Sequence, residues 1–251
     1  MSDTPSRFSL GLLALAAGLL GGLGGAALVA SGLLPIGQAA REKAMHDYLV
    51  AHGEVLPEAM DALRARNAAE ALAPIRGAVE QPFPGAVLGN PDGHKVLVEF
   101  MDFACGYCRA SEADVAALTN GDRDVKVVLR QLPILTPESV VAAKWALAAA
   151  MQGKYAAFHH ALYAGGRPDE AGIAAAAKAA GLDTARARQD AESQPVKEEI
   201  ARNLEIARHL GFTGTPGWEA RGAVLSGAQG YEACAGRWRN KPARRQDTLG
   251  P

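Results

Sequence analysis

The sequence predicts an α/β fold whose sheet is interrupted by a helical subdomain, preceded by an apolar amino-terminal segment and a helical stalk. Three observations predict it. Two short runs rich in β formers, Lys95–Met101 and Val125–Gln131, flank a helical stretch from Arg109 to about Leu118, the strand–helix–strand unit of an α/β sheet. An alanine-dominated helical region then extends from Thr136 to about Leu210. Sheet-like sequence resumes only after Gly211, with Gly214-Thr215-Pro216 and then Val224-Leu225-Ser226-Gly227.

The chain has 251 residues, with 26 Lys plus Arg against 27 Asp plus Glu, a formal net charge of −1. That balance gives no basic excess for nucleic-acid binding. Hydrophobic residues make up 49% and charged residues 21%, a globular composition with ample material for a core. Three cysteines are too few for a disulfide scaffold, so cysteine chemistry must be local.

From Phe8 to Ala40 there is no charged residue. The apolar run to Ile36 exceeds the roughly 7–15 residues of a signal core and suits the roughly 20 that cross a bilayer. Residues 1–40 therefore read as a membrane anchor, or as a signal cleaved near Gly37-Gln38-Ala39; a buried soluble helix is the bland alternative. Arg7 on one side and Arg41 and Lys43 on the other specify orientation poorly.

Residues 41–80 read as an amphipathic stalk. Ala44, Tyr48, Leu49 and Val50 form one apolar cluster and Leu56, Met60 and Leu63 a second, at helical steps, with His52-Gly53 between them. The stalk either lies on its own domain or self-associates. Turn-forming Gln81–Gly85 and Gly89–Gly93 open the next domain, 81–236, in which Lys95–Met101 reads as a central buried strand. Thr136 and Pro137 read as the N-cap and first residue of the helical insertion, about 136–210. Its breaks fall at Gly165–Pro168, Gly181–Asp183 and Gln194-Pro195.

Cys105-Gly106-Tyr107-Cys108 is the strongest chemical signal. With Cys105 at a helix N-terminus it faces free N–H groups and the positive end of the helix dipole, which favour thiolate over thiol and take its pKa below the free value of about 8.5. Cys108, one turn in, reads as the more buried, resolving thiol, and Arg109 adds a positive charge nearby. A thiolate both attacks disulfides and leaves easily. Two rivals remain. A purely structural disulfide across so short a loop is a poor staple. Zinc usually takes four ligands, yet Cys234 is distant, and the adjoining His159 and His160 point about 100° apart on a helix; no metal ligand is assigned. Glu99, in the otherwise apolar strand before the cysteines, reads as a buried acid that moves protons during exchange, against the alternative of a solvent-facing edge residue.

Val96–Arg109, with its strand, acidic residue and active-site helix, and Gly211-Phe212-Thr213-Gly214-Thr215-Pro216 together resemble the DsbA family of thiol–disulfide oxidoreductases, which has a thioredoxin-like fold. The resemblance covers about Phe83 to Tyr231. It implies that Cys105 is the nucleophile and Cys108 the resolving cysteine, and that Pro216 is cis and faces them. It also implies that Thr215 presents its backbone to an extended substrate by strand addition, with Gly106 and Tyr107 lining the same substrate site. No metal or organic cofactor is implied beyond the redox-active Cys105–Cys108 pair. The partners implied are proteins with thiols or disulfides and a membrane redox protein, in the periplasm, with the inner membrane held by the amino-terminal segment. The stalk is similar to the amino-terminal region of copper-sensitivity-suppressor-type relatives, some of them oligomeric isomerases or reductases. An oligomeric isomerase or reductase linked to copper tolerance is accordingly the alternative, and a metal-binding module using Cys105 and Cys108 a further one. The sequence departs from the family where an apolar strand should follow Pro216, since Gly217-Trp218-Glu219-Ala220-Arg221-Gly222 is short and polar. It departs again in the broken region from Cys234 to Pro242 and the basic tail, 237–251.

Overall fold

In a computed structural model of the protein, residues 37–228 and Gly236 are described. The apolar segment Phe8–Ile36, Cys234 and the basic tail lie outside the described residues. Among the described residues no helix is long and apolar enough to cross a membrane. The chain divides into two compact units after Ala62.

The first unit holds α1 (Gln38–Ala51) and the start of α2 (Val55–Leu72). The break falls at His52-Gly53, as the sequence predicts: the His52 N–H closes the last turn of α1 on the Tyr48 carbonyl, and the Leu56 N–H then donates to the Gly53 carbonyl as α2 begins. Met45, Tyr48, Val50, Leu56 and Met60 are all exposed.

The second unit contains the end of α2, α3 (Arg76–Glu80), β1 (Val87–Gly89), β2 (Lys95–Met101), α4 (Gly106–Gly121) and β3 (Val125–Gln131). The helical insertion follows as α5 (Pro137–Met151), α6 (Tyr155–Gly165), α7 (Glu170–Ala179), α8 (Thr184–Ala191) and α9 (Gln194–His209), and the sheet closes with β4 (Gly217–Ala220) and β5 (Ala223–Ser226). The strand order is β1-β3-β2-β4-β5. β2 and β3 run parallel, Lys95 opposite Val125 through Met101 opposite Gln131, and every other pair is antiparallel.

The two-residue period of the strands sorts their side chains to two faces. Leu97, Met101, Val127 and Leu129 pack with Val115 of α4 and with Ala146, Phe158 and Leu162 of the insertion. Val98, Phe100 and Val128 point the other way, against Leu72, Val79, Ile206 and Leu210. Each such side chain, fully buried, contributes roughly 1.5–3 kcal/mol. Leu72 and Val79 are completely buried here, so the latter part of 41–80, read as stalk, packs with the second unit from Leu63 onward.

Thr136 caps α5 as its sequence predicts: its hydroxyl accepts from the Ser139 N–H, Ser139 returns the bond to the Thr136 N–H, and Pro137 holds the first helical position. An extra break at Gln152–Lys154 separates α5 from α6. Two strands depart from the reading. β1 is only three residues long and lies between turn-forming glycines, so no periodicity announces it. The polar-looking stretch after Pro216 is the fully buried β4. It forms a hairpin with β5 through Arg221-Gly222, both at positive φ (51° and 84°), as a type I′ turn requires. Trp218 is fully buried, and the carboxylate of buried Glu219 accepts from the Gly222 N–H, which binds that acid into the turn.

Candidate active site

β2 is the central strand, and the loop at its carboxyl end carries the cysteine pair to the start of α4. Asp102 builds that loop. One carboxylate oxygen accepts from the Ala104 N–H at 2.8 Å and the other from the Ile134 and Leu135 N–H groups at 2.9 and 3.0 Å, which ties it to the loop after β3. The Cys105 N–H donates to the Asp102 carbonyl at 3.0 Å.

Cys105 is the N-cap residue of α4, with extended backbone (φ −78°, ψ 119°). The helix begins at Gly106, ahead of the clearly helical stretch from Arg109, so Cys105 caps it and Cys108 lies in its first turn, the placement expected for the pair. Gly106 and Tyr107 are exposed, Tyr107 at 69%. Both cysteines are free and buried, Cys105 at 6% exposure and Cys108 at 0%. The Cys105 thiol donates to the Thr215 carbonyl at 3.2 Å, across a Thr215–Pro216 peptide bond that is cis. The structure thus brings Cys105, Cys108, Thr215 and Pro216 to one place.

The two sulfurs differ sharply in acidity. A hydrogen bond from the Cys108 thiol, helped by the Thr215 side chain and by the N–H groups of Cys108 and Tyr107, lowers Cys105 to about 5 against partial burial. Burial pushes Cys108 far up, with Cys105 and Glu99 adding to it. Glu99 is 1% exposed, which rules out the solvent-facing alternative. Burial first, then the charge of Glu112, raises its carboxyl well above the ordinary 4.5. One Glu99 oxygen lies 3.4 Å from the Ser111 hydroxyl, which also donates to the Cys108 carbonyl at 2.8 Å; the other has no partner.

Arg109 does not face the sulfurs. Its guanidinium donates to the Tyr163 and Gly166 carbonyls at the end of α6, lying 5.2 Å from the centroid of the Tyr163 ring. The Tyr163 hydroxyl donates to the Asp102 carbonyl at 3.2 Å. These contacts clamp the insertion onto the cysteine-bearing helix α4. Sequence reasoning missed Asp102 and Tyr163 because their partners lie in other elements. It also missed Glu112, one helical turn beyond Cys108, which both histidines of the 159–160 pair approach despite their divergence on α6. Burial works against that carboxylate, yet His159 and His160 hold it down at about 2.

Comparison with known proteins decides the family. Residues 96–238 match the model of the DSBA-like thioredoxin domain. The chain belongs to the DsbA-like thioredoxin family. Residues 38–70 of this DsbA-like chain match a second model, the copper resistance protein ScsC N-terminal domain. Among solved structures, it is similar to a thioredoxin-like oxidoreductase from Silicibacter pomeroyi, at 40% identity and a TM-score of 0.57, over 62% of this chain and 93% of that one. It is also similar to a Proteus mirabilis ScsC variant, at 27% identity and a TM-score of 0.61, over 78% of this chain and 90% of that one. A sodium/proton antiporter, NhaA 3 of Salinispora tropica, is 31% identical over 152 residues, which are 59% of this chain; the chain spans only 23% of that relative's length.

Proposed function

We propose that this DsbA-like chain is a thiol–disulfide oxidoreductase that exchanges disulfides with extracytoplasmic proteins through a mixed disulfide on Cys105. The observation that carries the reading is the acidity contrast at one helix start: a sulfur held near pKa 5 beside a buried thiol held far above its ordinary value. In the reductive direction the Cys105 thiolate attacks a substrate disulfide, one S–S bond forms as another breaks, and a substrate thiolate leaves. Cys108 then loses its proton and attacks the Cys105 sulfur, which releases the second substrate thiolate. Two electrons pass to the substrate and the pair becomes a disulfide; oxidation of a dithiol substrate is the reverse. Glu99, when ionised, takes the Cys108 proton, and its raised pKa suits a group that returns that proton in the reverse step. Thr215 and Pro216 offer backbone to an extended substrate, and exposed Gly106 and Tyr107 meet it beside the sulfur.

The proposal extends to the periplasm, with residues 1–40 as inner-membrane anchor or cleaved signal and a membrane redox protein to reset the pair. A second reading, an oligomeric isomerase or reductase linked to copper tolerance, is favoured by the match of residues 38–70 and by the exposed Met45, Tyr48, Leu56 and Met60. Removing residues 41–62 separates the two: joint loss of oligomer and isomerase activity supports the second, and retained activity in a monomer the first.

Cysteine replacement tests the assignment. Cys105→Ser abolishes exchange, and Cys108→Ser accumulates substrates disulfide-linked to Cys105. Substrates trapped on Cys108 in the Cys105 variant contradict it.

A further inference from the structure

Among the described residues, outside the cysteine pair, one cluster of ligand-type side chains stands out. Glu112 projects from α4, and His159 and His160 project from α6. His159 Nε2 lies 2.8 Å from one Glu112 oxygen and His160 Nδ1 lies 3.4 Å from the other, with all three donor groups within 4.8 Å of one another. Neighbouring side chains on a helix point about 100° apart. These two nevertheless converge, because the carboxylate sits between them and each ring presents a different nitrogen.

The spacing fits a small cation. Donors on a tetrahedral zinc with bonds of 2.0–2.1 Å stand about 3.3 Å apart, and the two N···O distances, 2.8 and 3.4 Å, are within about half an ångström of that. The His159 ring is fully buried and fixed by aromatic neighbours, its centroid 5.6 Å from Phe103, 5.6 Å from Tyr155 and 5.0 Å from Tyr163. Packing thus sets that ligand in place before any ion arrives. His160 is exposed and Glu112 partly so, which leaves the opposite side open to solvent. Two imidazoles and one carboxylate with an open position are the donor set of borderline transition ions, zinc above all.

We propose that Glu112, His159 and His160 form a binding site for a divalent transition-metal ion of the zinc class, with water completing its coordination. The ion fastens the active-site helix α4 to α6 of the insertion, beside the Arg109 clamp. The buried Nδ1 of His159 has no partner. When Nε2 takes the ion, the ring's proton moves to Nδ1, where no protein acceptor supports it, so the site binds less tightly than one whose histidine is backed by a carboxylate.

The test uses zinc chloride and the full chain in its Cys105–Cys108 disulfide form, with Cys234 alkylated so that no thiol competes. Calorimetric titration is expected to show one zinc per chain. His160→Ala, at an exposed position, and Glu112→Gln are each expected to weaken binding at least about tenfold, since loss of even an outer-shell partner costs about 10–100-fold. Zinc should also shift the His160 imidazole nitrogen resonances. No stoichiometric uptake by the disulfide form, or unchanged affinity in His160→Ala, overturns the proposal.

Discussion

The Cys105 thiol and the Thr215 main-chain carbonyl meet at 3.2 Å, a contact between residues 110 apart in the chain. As a thiol, Cys105 donates to that carbonyl. As a thiolate it has nothing to donate, and the carbonyl oxygen becomes an unfavourable neighbour. The Thr215 hydroxyl is buried without a partner in the dithiol state, so it is free to turn and donate to the anion. One residue thus serves both protonation states, and the same carbonyl is the backbone group proposed to meet substrate.

Thr215→Val tests that exchange. It keeps the shape and removes the hydroxyl, so the Cys105 pKa rises while the fold remains. The pH dependence of alkylation of the reduced protein reads this directly, and an unshifted midpoint counts against the hydroxyl's role.

The depressed Cys105 pKa makes the stability of the dithiol form depend on pH. Its folded value is about 5 and its ordinary value 9.0. A depressed acid contributes stability that is complete above the unfolded value and lost as pH falls through the folded one. Cys108, raised rather than lowered, stays neutral in both states across that window. Reduced protein therefore loses stability relative to reduced Cys105→Ser between pH 8 and pH 5, on the order of 2 kcal/mol after discounting for solvent screening. Urea midpoints at the two pH values measure it; parallel midpoints refute it.

Glu99 acts in the opposite sense. Its folded pKa lies above 4.5, so it weakens the folded state as pH climbs from that value toward the raised one. Glu99→Gln is expected to be more stable than wild type at pH 8, with the advantage shrinking toward pH 5. Exchange slows in the same variant. A stability difference that does not change with pH contradicts the assigned shift.

Arg130 gives a purely structural prediction. Buried at the end of β3, its guanidinium donates to the Val79 carbonyl at 3.1 Å, to Glu199 at 2.9 Å and to Asn203 at 2.8 Å, as well as to the carbonyls of Ala78 and Gln81. Arg130→Leu strands the Glu199 carboxylate and costs about 3–5 kcal/mol in chemical denaturation. A loss below about 1 kcal/mol would mean that water reaches these groups.

Where local chemistry sets an element, the sequence shows it. Lys95–Met101 and Val125–Gln131 are short runs rich in β formers, and their strands take those bounds. Thr136-Pro137 announces a capped helix, and the Cys105-Gly106-Tyr107-Cys108 spacing announces a cysteine pair at a helix start. What stays hidden depends on partners far away in the chain. Glu219 makes β4 look like a loop until the Gly222 N–H supplies its bond. Arg109 looks like a charge for the sulfurs until the carbonyl end of α6 claims it. His159 and His160 look divergent until Glu112 is seen between them.

The most direct measurement is the rate of Cys105 alkylation in the reduced full chain as a function of pH, with Cys108 replaced by alanine in a parallel sample. The reduced protein is expected to show a midpoint near 5, rising in the Cys108→Ala sample as the hydrogen bond from the Cys108 thiol is lost. A midpoint near the ordinary 9.0 in both samples would contradict it.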